Sequence, residues 1–328
     1  MASQAKERTL YRDIIHGAWE IAWHRKQLWV LGFFAALLGG GALETITRGA
    51  NAIASGEPFV GAIVFIQNIR ATLISSASGE KLTVALAALL LAAIAVLVLM
   101  LAVSGAAGLV AATARIVRGK TITMREAFAV GMAKFWPVLG LQVIGRAVTT
   151  ALLVLTAGFS FLAASNGTNI VTYLLMFVLF ACAALAVSFM TSIATAAIVV
   201  KEHGLLAAWS AAWRLLVRHW LISIEMVIVL FFAALVTGIG IAVAATLLSI
   251  PFFMLALAAA VLKSAVMVTV IAVAGGITAI ALVAVAGSVL STFTYAAWTL
   301  LYLRISERSA VAKLTRIGRA LKLHRVIA

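Results

Sequence analysis

Six apolar runs, most of them twenty residues or longer, set the solvent in which this chain folds. They cover about 28–43, 82–113, 136–163, 170–200, 220–249 and 266–303. Crossing the ~30 Å hydrocarbon of a bilayer takes roughly 20 residues of helix, so every run except the short first one is long enough to span. Charged residues are 11% of the 328, against about 25% in a soluble domain. The expected fold class is therefore an all-α integral membrane protein with six transmembrane helices. Two features complicate the last runs. Pro251 is expected to end the fifth span, leaving "PFFMLALAAAVL" as an interfacial or re-entrant piece, and Gly275-Gly276 lets the sixth run begin as a separate half-helix.

Orientation follows from charge. Five Lys/Arg precede the first run (Lys6, Arg8, Arg12, Arg25, Lys26), five lie in 115–134, three in 201–218 and seven from Arg304 onward. The opposite side has four: Arg48, Arg70, Lys81 and Lys263. Positive charge marks the cytoplasmic face, which places both termini inside. Trp19, Trp23, Trp29, Trp136, Trp209, Trp213, Trp220 and Trp298 all fall on that same side, where indole favours the headgroup layer. The alanine-rich, basic composition points to a bacterial plasma (inner) membrane. The charged stretch before the first run is patterned as a helix and is too long for a signal-peptide n-region, so it is read as retained.

Gly119-Lys120-Thr121 looks like the tail of a phosphate-binding loop. Such a loop needs a glycine five residues before the Gly-Lys pair, and that position is Ala114. The neighbouring residues read better as a helix start, with Thr123 and Glu126 as a capping box. Met124, Phe128, Gly131 and Phe135 then share one face of a short amphipathic helix on the inner leaflet, which runs into Lys134-Phe135-Trp136-Pro137.

The pattern occurs twice more. In "HGLLAAWSAAWRLLVRHW", Leu205, Trp209, Ala212 and Leu216 oppose Ser210, Arg214 and Arg218. In "TLYRDIIHGAWEIAWHRKQLW", Leu10, Ile14, Gly17 and Ile21 oppose Arg12, His16, Glu20 and His24. The chain thus divides into a membrane domain, 1–308, of three repeats at about 8–115, 116–202 and 203–308, and a basic tail, 309–328. Each repeat is an inner-leaflet helix, a basic-aromatic elbow, a span out and a span back.

"AWEIAWHRKQLWVLGFFAALLGGG", "GLLAAWSAAWRLLVRHW" and "YAAWTLLYLRISERS" make the chain resemble the membrane domain of some bacterial glycerophosphoryl diester phosphodiesterases and related multi-pass membrane proteins. The resemblance implies the fold. It does not imply the activity, which in that family belongs to a separate soluble barrel with an acid-rich site. This chain has ten acidic residues in all, and His24-Arg25 and His324-Arg325 lack the accompanying glycine and carboxylates.

No paired carboxylates, metal cluster or activated nucleophile stands out, so no enzyme activity and no cofactor is expected. The single Cys182 and five scattered histidines offer no metal-site spacing. Two charges do fall within spans: Arg146 in the third and Glu225 in the fifth. An ionised group at membrane depth costs at least about 2.5–3.5 kcal/mol, which makes each a candidate site. They read either as an ion pair locking two spans or as a substrate-facing pair, with Gln142, one turn before Arg146, joining either arrangement. "LLGGGAL", 37–43, reads as a gate, as close helix packing or as a loosened helix end.

The tail is a basic amphipathic helix in which Lys313, Arg316, Arg319, Lys322 and Arg325 are candidate contacts for anionic inner-leaflet lipid. It lacks the interleaved aromatics of a nucleic-acid binder, and membrane lipids are the expected partners. The leading expectation is a non-enzymatic lipid-interacting protein with a scaffold or accessory role. The alternative is a transporter or lipid-translocating protein working through Arg146 and Glu225. A polar cavity enclosed by the repeats is what separates the two.

Overall fold

The structure, a computed structural model, describes residues 10–38, 67, 78–164, 170–218 and 220–307. In chain order its helices are α1 (Leu10–His24), α2 (Leu28–Leu37), α3 (Ser78–Val117), α4 (Met124–Ala133), α5 (Phe135–Ala164), α6 (Ile170–Lys201), α7 (Leu205–Arg218), α8 (Trp220–Val261) and α9 (Ala265–Glu307). Five carry stretches long and apolar enough to cross a membrane: Ala85–Val117, Phe135–Thr156, Leu174–Lys201, Ser223–Val261 and Ala265–Ser306. The chain is an all-helical, multi-pass membrane protein. The expected first span differs from these five. Its helix, α2, has 10 residues and rises ~15 Å, about half the hydrocarbon thickness. Residues 39–43 of that run lie outside the described residues, as do Arg48, Arg70 and the tail with Lys313, Arg316, Arg319, Lys322 and Arg325.

Helix order and packing run in step. Short helices α1, α4 and α7 each precede an apolar helix, respectively α2, α5 and α8. The apolar helices pair with the next long helix, α2 on α3, α5 on α6 and α8 on α9, while α3, α6 and α9 also pack on one another. Each short helix docks on the long helix before it: α4 on α3, α7 on α6, and α1, closing the circle, on α9. The core is the inner half of α3, α6 and α9, where Ala106, Ala107, Ala194, Ala197, Ala296 and Ala297 are all fully or almost fully buried. Lipid supplies no hydrophobic drive between helices, so small side chains that let backbones approach supply the packing.

The short helices show how the elbows are built. α1 buries Ile14, Ala18, Ile21 and Ala22 and leaves Arg12, His16 and Glu20 in the open. Its elbow is tied by the Trp29 indole, which donates to the Ala22 carbonyl at 2.6 Å, and by Trp19 and Trp23, stacked 5.5 Å apart. At the second elbow, Gly119 sits at φ +73°, its N–H donating to the Ile116 carbonyl at 2.9 Å while the Lys120 N–H donates to Arg115 at 3.0 Å. Those two bonds are a Schellman stop, so Gly119-Lys120 terminates α3. The Thr123 hydroxyl accepts from the Glu126 N–H at 3.3 Å, as the capping reading expects, and the Glu126 carboxylate lies 3.6 Å from Arg115.

Two expectations are corrected. Pro251 does not end the fifth span: α8 continues through it to Val261. Proline removes one helix hydrogen bond, but in an apolar solvent the helix has no competing water, and nearby hydroxyls can share the work. The Ser249 hydroxyl donates to the Thr246 carbonyl at 2.7 Å, next to the Leu247 carbonyl that the proline leaves without its helix donor. Nor do Gly275-Gly276 break the last helix, since α9 runs unbroken over 43 residues. Gly275 instead admits the Phe252 ring, whose Cγ lies 3.1 Å from where a Cβ would sit. α8 and α9 turn at Lys263, φ +52°, into a paired hairpin. At ~63 Å each, they are about twice the hydrocarbon thickness.

Candidate functional site

A cavity of about 540 Å³ lies between α2, α5, α6, α8 and α9. That volume is within the roughly 300–1,000 Å³ of small-molecule sites. Its walls differ in chemistry. α5 contributes Gln142, Arg146, Thr149 and Thr150, α6 contributes Ser188, Thr191, Ser192 and Thr195, and α9 contributes Ser291, Thr294 and Tyr295. α8 faces these with Val227, Leu230, Phe231 and Ile241. One wall therefore hydrogen-bonds and the opposite wall is hydrocarbon, which is the division found in an amphiphile.

Arg146 is the cation of this cavity. It lies ten residues beyond Trp136, ~15 Å along the helix, a rise equal to about half the hydrocarbon thickness of a bilayer. Its Nη2 donates to the carbonyl of Leu38, the residue that caps α2. The last carbonyls of a helix have no partner within the helix and carry partial negative charge, so a cation there is favourable. The Leu38 carbonyl at the end of α2 thus meets Arg146, and a carbonyl dipole aimed at a guanidinium offsets part of the cost of a charge among apolar helices. A guanidinium has five N–H donors, of which this bond uses one.

The hydroxyls of α6 form a stripe at i, i+3, i+4 and i+7. Thr191 donates to the Val187 carbonyl, Ser192 to Ser188 at 2.9 Å, and Thr195 to Thr191 at 2.7 Å. On α5, Thr149 donates to Gly145 at 2.9 Å. A carbonyl only accepts, so each hydroxyl has its one proton committed to its own helix and offers lone pairs elsewhere. Close packing holds the stripe in place. A Cβ on Gly145 would lie 2.7 Å from the Thr191 methyl, so α5 and α6 meet there nearly backbone to side chain. Beneath the cavity, Trp298 packs edge-on against Phe189 at 5.3 Å.

Of the residues expected from the sequence, the structure brings Arg146 and Gln142 into one cavity and leaves Glu225 out of its lining. The cavity-facing positions of α8 are spaced by three and four from Val227 to Ile241. Glu225, two residues before Val227, is rotated ~160° from that face, and is half-buried elsewhere. The α6 stripe was not anticipated, although "SFMTSIAT", 188–195, shows it: on a helix its Ser188, Thr191, Ser192 and Thr195 fall on one side. Among the described residues, no three His, Cys, Asp or Glu side chains are grouped as metal ligands. No family model, curated protein or solved structure matches the chain.

Proposed function

We propose that this is a six-span bacterial inner-membrane protein that admits a lipid-class anion to the cavity around Arg146 and passes it between leaflets. The observation that carries this is the cavity itself. A scaffold has no use for a mid-membrane cation set between a hydroxyl wall and an apolar wall, whereas an amphiphile crossing the bilayer needs both. The Leu38 carbonyl also supports the reading, because it holds the Arg146 guanidinium at the cavity with donors to spare.

The six-span reading takes the apolar run begun by α2 as the first span, with both termini cytoplasmic because of the charge distribution. Three repeats are supported by the circular docking of α1, α4 and α7 on the long helices α9, α3 and α6. The likeness to a phosphodiesterase membrane domain contributes a fold to this reading and no chemistry, and the protein is proposed to be non-enzymatic. Its basic tail, 309–328, would hold anionic lipid at the inner leaflet.

Two experiments examine the reading. In a Cys182→Ser background, thiols placed at Asn51 and Asn166 should react with an impermeant reagent from outside, and thiols at Gly119 and Ser309 should not. Outside labelling at Gly119 would invert the topology. Full-length protein purified in mild detergent should retain phospholipid detectable by native mass spectrometry, and Arg146→Gln should retain at least about fivefold less, as expected for loss of a charge-assisted hydrogen bond of about 1.5–3 kcal/mol. Equal retention by both would remove the cavity from the function.

A further inference from the structure

The cavity sets a cationic donor on one helix beside hydroxyls with committed protons on another, and that pairing restricts which headgroup fits. The charged donor is Arg146 on α5, and Gln142, Ser291, Thr294 and Tyr295 add groups that can donate or accept. Acceptors come from α6, where Thr191, Ser192 and Thr195 each spend their proton on a backbone carbonyl and present only lone pairs. A simple anion satisfies Arg146 and leaves these oxygens unmatched. A quaternary ammonium satisfies neither oxygen nor hydrogen-bond geometry, since it has charge but no N–H. A buried acceptor with no donor costs free energy, so the site should prefer a ligand that supplies one.

We propose that the cavity selects a phosphate-bearing headgroup that carries its own N–H or O–H donors, such as phosphoethanolamine or phosphoglycerol, over phosphocholine. The phosphate lies against Arg146 and the donor-bearing end against the α6 hydroxyls. The headgroup reaches the site on a lipid, whose chains lie along Val227, Leu230 and Phe231, or as a free phosphoalcohol of the same chemistry. This rests on the amphiphile-binding reading of the cavity and adds the headgroup class to it.

The test uses full-length protein in detergent, with equilibrium binding of short-chain phosphatidylethanolamine, phosphatidylglycerol and phosphatidylcholine. The ethanolamine and glycerol lipids should bind about tenfold tighter than the choline lipid, the difference expected when buried acceptors lose their donor. Thr191→Val with Ser192→Ala should bring the three affinities together, because shape is nearly kept and the acceptors are gone. Thr246→Val, whose hydroxyl donates to Ala242 outside the cavity lining, is a control for folding and packing. Competition by free O-phosphoethanolamine as strong as by the lipid would assign the soluble source, and weak competition the lipid source. Equal affinity for all three lipids in the native protein would overturn the headgroup selection while leaving amphiphile binding intact. Failure of every lipid to bind, with Arg146→Gln unchanged from native protein, would sink the amphiphile reading itself.

Discussion

Gly131→Val is expected to prevent α4 from docking on α3. A Cβ at Gly131 would overlap the carbonyl oxygen of Ser104 and would lie 2.9 Å from its carbonyl carbon and 3.0 Å from the Gly108 nitrogen. All three obstacles are backbone, so neither helix can yield by a rotamer change. At the same interface a Cβ on Gly108 would lie 2.9 Å from the Ala127 carbonyl oxygen, so two small-residue pairs, Ala127/Gly131 and Ser104/Gly108, lock the helices together. Overpacking of a well-filled core typically costs about 1–3 kcal/mol, and a backbone clash belongs at or above the top of that range. In detergent this should appear as a loss of several degrees in Tm and a shift to aggregate on size exclusion. Gly240→Val, where nothing lies within 4 Å, should behave as native protein. A Gly131→Val protein as stable as native would mean that α4 does not pack on α3 as described.

Arg146→Glu should have the second large effect, and through two routes. The carboxylate would face the Leu38 carbonyl, replacing an attraction between a cation and a helix C-terminus with a repulsion. It would also reverse the only charge among the described residues that line the cavity. Loss of stability measures the first route and loss of bound anionic lipid measures the second. Arg146→Lys separates them: a point charge without the planar fork should keep most of the stability and lose part of the lipid affinity.

Much of this was legible in the sequence, and the reasons are specific. Six apolar runs and three basic-aromatic elbows follow directly from the bilayer, because hydrocarbon thickness and headgroup chemistry act on each segment separately. Thr123 could be read as a cap for the same reason, since its partner Glu126 is three residues away. Arg146 and Glu225 stand out by depth alone, and Gln142 by its place one turn before Arg146. Depth comes from counting along one helix, whereas facing the cavity depends on how that helix is rotated against four neighbours, and Glu225 shows the difference. Pro251 misled because its cost was assessed as in water, where a broken helix finds solvent partners. The role of Leu38 was hidden because it lies in a backbone carbonyl, which every residue has.

The acceptor stripe was hidden for another reason. Four hydroxyls within an apolar run read as neutral helix residues until their protons are assigned. Only the bonds to Val187, Ser188 and Thr191 show that the protons of Thr191, Ser192 and Thr195 are committed to their own helix, which leaves their oxygens as acceptors.

The central claim is that lipid enters the cavity around Arg146. The most direct measurement is cross-linking by a phosphatidylethanolamine with a photoreactive group near its headgroup, in reconstituted full-length protein, with modified peptides mapped by mass spectrometry. The expected result is labelling of α5 and α6 at the level of Gln142–Thr149 and Ser188–Thr195, competed by unlabelled lipid and lost in Arg146→Glu. Labelling confined to lipid-facing positions such as Leu89–Leu91 and Leu97–Leu99, and unchanged by the substitution, would contradict it.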